Sequence, residues 1–350
     1  MSETLFRQDI DDSPRALADT LDGLDAVQIV RSLLAGGARR IAAIGSGSSY
    51  FACATSAYLY DSLASPGACA LRTTPAEEFG LYPLPLDPAD ALVGVSASGK
   101  VIDVVGLFSA RKGRQRLIGI TNELDSPLAR AADDALLTRA GASRVPTSTK
   151  TFLASVLALD VLWLALLEAQ GVSAARELRE SLADLPAALE KAMRETSGLL
   201  PGIAGRLLAC ERFFVAGSGP SWPLAQEVAL VLKEVAGLPA EPMQAREMIH
   251  GPTAIVDETV GVIVVNPRGR GEEAAGALLA QCAERGATTA SIGAAPSDLT
   301  IAVDVPEMLS PLVLGGPLFA LANELAVRRG VYSDHPAWES AYMQSVRPQG

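Results

Sequence analysis

Short apolar runs alternate along the chain with longer stretches in which apolar residues recur every three or four positions. The short runs, at residues 40–45, 91–95, 117–121 and 135–138, are predicted strands. A second set at 212–217, 260–265, 288–292 and 301–305 follows the same rhythm. Helical periodicity is predicted between them, at 49–63, 104–112, 152–167 and 272–285. Residues 173–197 add an amphipathic stretch, with Leu178, Leu182, Leu185, Leu189 and Met193 on one stripe. Pro186 within it is expected at a helix start or a kink. Strands alternating with helices imply parallel sheets covered on both faces, an α/β fold of three-layer αβα sandwiches.

The pattern repeats. Arg40-Ile-Ala-Ala-Ile-Gly45-Ser-Gly-Ser-Ser49 is echoed by Arg212-Phe-Phe-Val-Ala-Gly217-Ser-Gly-Pro-Ser221, with Gly217 placed 172 residues after Gly45. Each copy is a strand, a Gly-Ser-Gly turn and a helix, so one doubly wound sheet per half is expected. The reading divides the chain at 1–170, a helical connector at 171–205, a second domain at 206–333 and a tail at 334–350.

Composition narrows the function. With 49% hydrophobic and 20% charged residues among 350, the chain is neither disordered nor fibrous. Its net charge of −11 and lack of a basic block argue against a nucleic-acid partner. Four scattered cysteines and two histidines argue against disulfides and a metal centre. The polar, acidic N-terminus does not read as a signal peptide. The apolar run 152–167 is short for a membrane span, carries Asp160, and reads as a buried helix. A soluble, cytoplasmic protein is expected.

An acidic protein binds anions through backbone N–H groups and hydroxyls rather than bulk charge. Two turns suit this: Gly45-Ser46-Gly47-Ser48-Ser49, and Ser96-Ala97-Ser98-Gly99-Lys100-Val101, each just after a strand. Neither is a Walker A or dinucleotide fingerprint. Ser and Gly also make good strand-to-helix turns and caps, but two such turns on successive strands favour a phosphate. A third polar cluster, Pro146-Thr147-Ser148-Thr149-Lys150, is either a helix cap or a rim of hydroxyls around the same ligand. The second half has no Ser-x-Ser-Gly, so its phosphate pocket is expected to be lost. It offers Glu234 and, sixteen residues on, His250, the carboxylate and imidazole that sugar proton transfer requires. On composition alone, the reading is a solvated helix residue and a turn residue at a Gly-Pro.

Gly47-Ser48-Ser49-Tyr50, Ser96-Ala97-Ser98-Gly99, Ser148-Thr149-Lys150, Leu232-Lys233-Glu234 and His250-Gly251-Pro252 occur in one order. Together they resemble the tandem sugar-isomerase (SIS) domain proteins, over about residues 17–334. That group includes the isomerase half of glucosamine-6-phosphate synthase, SIS-type amino-sugar-phosphate deaminases and fructosamine-6-phosphate deglycases. The resemblance implies a flavodoxin-like sheet in each domain. It implies that Ser48, Ser49, Ser96 and Ser98 hold a sugar phosphate, with Gly47, Ala97, Lys100, Val101 and Pro146 around it and Ser148 near the sugar hydroxyls. It further implies that Glu234 shuttles the C1–C2 proton and that His250 assists ring opening from the neighbouring subunit of a homodimer. No cofactor is implied.

Three departures from the family pattern stand out. Its usual Ser-Gln-Ser-Gly-Glu-Thr loop has Lys100 and Val101 in the last two places. No lysine follows Lys233, so Schiff-base chemistry from a C-terminal lysine is not expected. No glutaminase segment precedes the repeat, so glutamine-dependent transamination is not expected either. The reading is a phosphosugar isomerase or deaminase working by Glu/His proton transfer. The alternatives are a fructosamine-6-phosphate deglycase and a phosphosugar sensor without turnover.

Overall fold

The central apolar runs become strands buried on both faces, where backbone groups must pair with one another rather than with water. The computed structural model describes residues 4–294, 298–300 and 305–346. The chain divides into two compact units. The first-sheet unit comprises Arg15–Ser143, Lys150–Asp184 and Ala337–Gly350. The second-sheet unit comprises Met1–Pro14, Arg144–Thr149 and Leu185–Pro336.

In the first-sheet unit, β1 (Arg40–Gly45), β2 (Ala70–Pro75), β3 (Ala91–Val95), β4 (Arg116–Thr121) and β5 (Asp134–Leu137) form a parallel sheet ordered β2-β1-β3-β4-β5. Strand β3 is buried throughout. Ala42, Ile44, Phe79, Leu92, Val104, Phe108 and Leu117 form one hydrophobic cluster on this sheet. Helix Ser48–Leu63 packs against helix Lys150–Ala169. The latter contains the run expected to fall short of a membrane span. It is in fact 20 residues long, sufficient by length and composition, but 78% of its most apolar window is buried within the structure. Helix 307–329 passes the same test and is 89% buried in that window. Both are core helices, apolar on every side because every side is packed.

Asp160 sits in the middle of Lys150–Ala169, 1% exposed, where Ser56 Oγ donates to its Oδ1 at 2.5 Å. Burial pushes this carboxyl up to about 8. All four cysteines are free and buried.

The second-sheet unit holds β6 (Arg212–Gly217), β7 (Ala240–Gln244), β8 (Val260–Asn266), β9 (Thr288–Gly293) and β10 (Leu299–Thr300), again parallel. Their order, β10-β9-β8-β6-β7, reproduces the first sheet strand for strand. Helix Ser221–Ala236 packs on helix Ser310–Arg329, as does Leu185–Ser197. The amphipathic stretch 173–197 is two helices, Ser173–Ser181 and Leu185–Ser197, around a 3₁₀ turn at Leu182–Asp184. Pro186 lies in the first turn of the second, where its missing N–H costs nothing.

Strands β2 and β7 carried no signal in the apolar pattern. Each is an edge strand, half-exposed, and β7 contains Glu241 and Pro242, which an edge tolerates. Of the expected strand at 301–305, positions 301–304 lie outside the described residues.

Candidate functional site

In a doubly wound sheet, the crevice lies where the strand order reverses, beyond the carboxyl ends of the strands. In the first-sheet unit that point is between β1 and β3. Two loops open there, and both are the hydroxyl-rich turns of the sequence.

After β1 the chain turns through Gly47, at φ 55° and ψ −128°, directly into helix Ser48–Leu63. The turn is tight enough that a Cβ on Gly45 would stand 2.6 Å from the carbonyl carbon of Ser49. Both positions therefore require glycine. No side chain caps this helix, and Ser48 and Ser49 lie half-buried at its first turn. The helix N-terminus thus presents N–H groups and two hydroxyls together, which favours an anion.

After β3, Ser96 is 1% exposed and its backbone N–H is spent on Ile120 O. Its Oγ is buried with no hydrogen-bond partner among the described residues. A buried hydroxyl left unmatched is costly, and in native proteins it calls for an explanation such as a ligand. Ala97 is held by its carbonyl, which accepts from Asn122 N and Thr121 Oγ1. Ser98 Oγ accepts from Lys100 N at 3.3 Å, while the Lys100 side chain is exposed. Val101 packs into the hydrophobic cluster below the loop, so only its backbone faces this turn. The loop leads into helix Ile102–Arg111.

The second-sheet unit places Glu234, half-buried, near the end of helix Ser221–Ala236. It lines a small pocket with Phe6, Val145, Pro146, Thr147, Val235, Tyr332, Ser333, Asp334 and Pro336. Arg144 ties one wall down: its backbone N–H and guanidinium both donate to the buried Asp9, at 2.8 and 2.7 Å, and a second bond reaches Asp12 at 2.6 Å. That anchors the segment Arg144–Thr149 against the N-terminal helix Leu5–Asp11. On another wall, Asp334 Oδ1 accepts from Tyr332 Oη at 2.6 Å and from Leu5 N at 3.0 Å. Burial, together with the Asp334 acceptor, pushes the Tyr332 phenol up, so it stays a donor near neutrality.

Pro146 and Glu234 are thus brought together in one pocket, with Ser148 half-buried two residues along the same segment. His250 is not among the pocket's residues. It is exposed at the end of the short helix Ala245–Ile249, its N–H donating to Arg246 O and Glu247 O at 3.2 Å. Phe6, Tyr332 and Asp334 were not singled out in the sequence. They reach Glu234 from the two ends of the chain, and no local pattern marks such a meeting.

The SIS domain family description matches residues 37–165 and 206–300, each spanning one sheet and its switch-point turns. Glutamine–fructose-6-phosphate aminotransferase (isomerizing) of Pyrobaculum aerophilum is 35% identical over 344 residues, covering 94% of this chain and 55% of that protein. The chain therefore spans about half the length of this relative. Among solved structures, the C-terminal domain of glucosamine-fructose-6-phosphate aminotransferase from Francisella tularensis superposes with a TM-score of 0.86 at 22% identity, over 96% of this chain and 99% of that one. Glucosamine-6-phosphate deaminase from Thermotoga maritima does so with a TM-score of 0.77 at 21% identity, over 95% and 97%. With the family match falling once on each sheet, the chain belongs to the SIS-domain family and carries two such domains in tandem.

Proposed function

We propose that the protein is a phosphosugar isomerase or deaminase acting on a hexose or amino-sugar 6-phosphate. The observation that carries this is the buried, unmatched Oγ of Ser96 beside the uncapped helix that begins at Ser48, at one switch point. A phosphate monoester supplies the acceptor oxygens that Ser48, Ser49, Ser96 and Ser98 seek, and the helix N-terminus favours its charge. The names of the relatives, aminotransferases labelled isomerizing and a glucosamine-6-phosphate deaminase, fit a 6-phosphosugar.

Glu234 is the base in this reading. Its carboxylate takes the proton from C2 of the open-chain sugar, leaving an enediol, or an enolamine when C2 carries nitrogen. Return of that proton to C1 gives the ketose, or the 2-imine, to which water adds before ammonia departs. His250, supplied by a neighbouring subunit of a homodimer, assists ring opening by proton transfer at the ring oxygen. On a fructosamine 6-phosphate, whose C1 carries an amino acid's nitrogen, the base would take a C1 proton instead; protonation at C2 gives a C1 imine, and its hydrolysis releases the amino acid, as in a deglycase.

A sensor without turnover is the second reading. It is favoured by the altered phosphate loop, with Ala97, Lys100 and Val101 where the family pattern has Gln, Glu and Thr. Incubating the protein with hexose and hexosamine 6-phosphates and assaying ketose and ammonia together separates the two. Ketose, with or without ammonia, is expected; saturable binding with no product from any sugar overturns the enzyme reading.

A further inference from the structure

The second sheet has its own switch point, between β6 and β8, and its loops match those of the first in length. Ile44 lies opposite Gly94 across β1 and β3, and Ala216 lies opposite Val264 across β6 and β8. Two residues beyond each partner stand Ser96 and Asn266. From these positions both loops run six residues to the next helix: Ser96-Ala97-Ser98-Gly99-Lys100-Val101 to Ile102, and Asn266-Pro267-Arg268-Gly269-Arg270-Gly271 to Glu272. The glycine-led turn is kept as well, for Gly219 has φ 55°, as Gly47 does.

The unmatched atoms recur in the same places. Asn266 Oδ1, at the position of Ser96, is buried without a hydrogen-bond partner among the described residues. Ser221, at the position of Ser49 and in the first turn of the 16-residue helix Ser221–Ala236, is 0% exposed, and its Oγ is also without one. Where the first loop carries Ser98 and Lys100, the second carries two exposed arginines. Neither Arg268 nor Arg270 joins a side-chain ion pair among the described residues. Glu307 is set against this loop, its Oε1 accepting from Arg270 N at 3.0 Å, and Glu272 and Glu273 open the helix that follows.

We infer that the second switch point is a ligand site in its own right, binding a small hydroxylated phosphomonoester. The phosphate takes the guanidinium groups of Arg268 and Arg270 and the Ser221 hydroxyl, and a ligand hydroxyl donates to Asn266 Oδ1. The loss of Ser-x-Ser-Gly from this half is then an exchange of neutral donors for charged ones, and the site is kept. No catalytic group is assigned to it; it is a site for binding, separate from the phosphate cradle of the first sheet.

Titration calorimetry of the full chain with inorganic phosphate and with fructose 6-phosphate, at low ionic strength, tests the inference. Two equivalents of fructose 6-phosphate per chain are expected. Arg268→Ala with Arg270→Ala, both on the surface and safe for folding, should remove or weaken one equivalent by about tenfold or more. Asn266→Asp, which sets a carboxylate at the same place without changing shape, should do the same. Ser96→Ala with Ser98→Ala should instead affect the other equivalent. A single equivalent lost only in the first-sheet double variant overturns the inference, as does an isotherm indifferent to the arginine pair. A single equivalent lost only in the arginine variant keeps this inference and removes the phosphate cradle of the first sheet.

Discussion

The two switch points share strand order and turn glycines and differ in chemistry. Both begin with a Gly-Ser-Gly turn in which a Cβ on the first glycine would strike the helix backbone, at 2.6 Å for Gly45 and 2.4 Å for Gly217. Both follow with a loop of six residues before the next helix. The first is furnished with hydroxyls, at Ser48, Ser49, Ser96 and Ser98. The second has Pro220, Ser221, Asn266 and Arg268 in those places. Strand order and glycine positions are properties of the fold, held by packing and backbone sterics. Side chains at the loop positions are free to change, and there the two sites diverge.

Ways to break the comparison fall in order of size. The largest effect belongs to Glu234, in the second-sheet unit. Glu234→Gln keeps the shape and removes the base, so turnover and exchange of the C2 hydrogen with solvent should fall about 10²–10⁴-fold. Sugar phosphate binding should survive, because Ser48, Ser49, Ser96 and Ser98 are untouched. Turnover near the parent rate would move the base elsewhere, and the exposed Glu247 would be tried next.

Arg144→Ala comes second. It takes the guanidinium away from a carboxylate, Asp9, that is 1% exposed, and frees the wall carrying Pro146 and Thr147. Because Arg144 itself is partly exposed, a loss of about 2–3 kcal/mol is expected in a urea melt, with KM raised. A melt unchanged from the parent would show that the wall stands without this anchor.

Ser96→Ala sharpens the comparison on the first-sheet side. Removing an unmatched buried hydroxyl should leave the free protein as stable as before or slightly more so. It should also weaken sugar phosphate about tenfold, the worth of one hydrogen bond to a charged group. Equal affinity in the variant would mean that the ligand does not reach this loop.

Asp160 lies outside both switch points, and its effect depends on pH. Its folded value of about 8 lies above the ordinary 3.8, so the folded protein keeps a proton that the unfolded chain releases. Stability from this group is complete below about pH 4, falls as pH rises toward 8, and levels off above. Asp160→Asn still accepts from Ser56 but cannot ionise. Its melting temperature should exceed the parent's by on the order of 5 °C at pH 8.5, converging toward pH 4. Parallel profiles would show that Asp160 does not titrate in this window.

The amino-acid sequence by itself determined the repeat, the α/β class and the two hydroxyl turns. Each is a local pattern, in which apolar period, glycine position and turn residues point the same way within about ten residues. It also offered Glu234 as a candidate, and only the resemblance raised it above a solvated helix residue. Tertiary structure alone decided the rest. The edge strands β2 and β7 form because a sheet edge accepts half-exposed chain that a central strand would not. Phe6, Pro146, Tyr332 and Asp334 meet Glu234 because chain ends and a mid-chain segment fold into one unit. The bare oxygens of Ser96, Ser221 and Asn266 became visible only once every neighbouring donor and acceptor had been paired. Sequence writes which polar groups exist, but whether one is satisfied depends on partners brought from far along the chain.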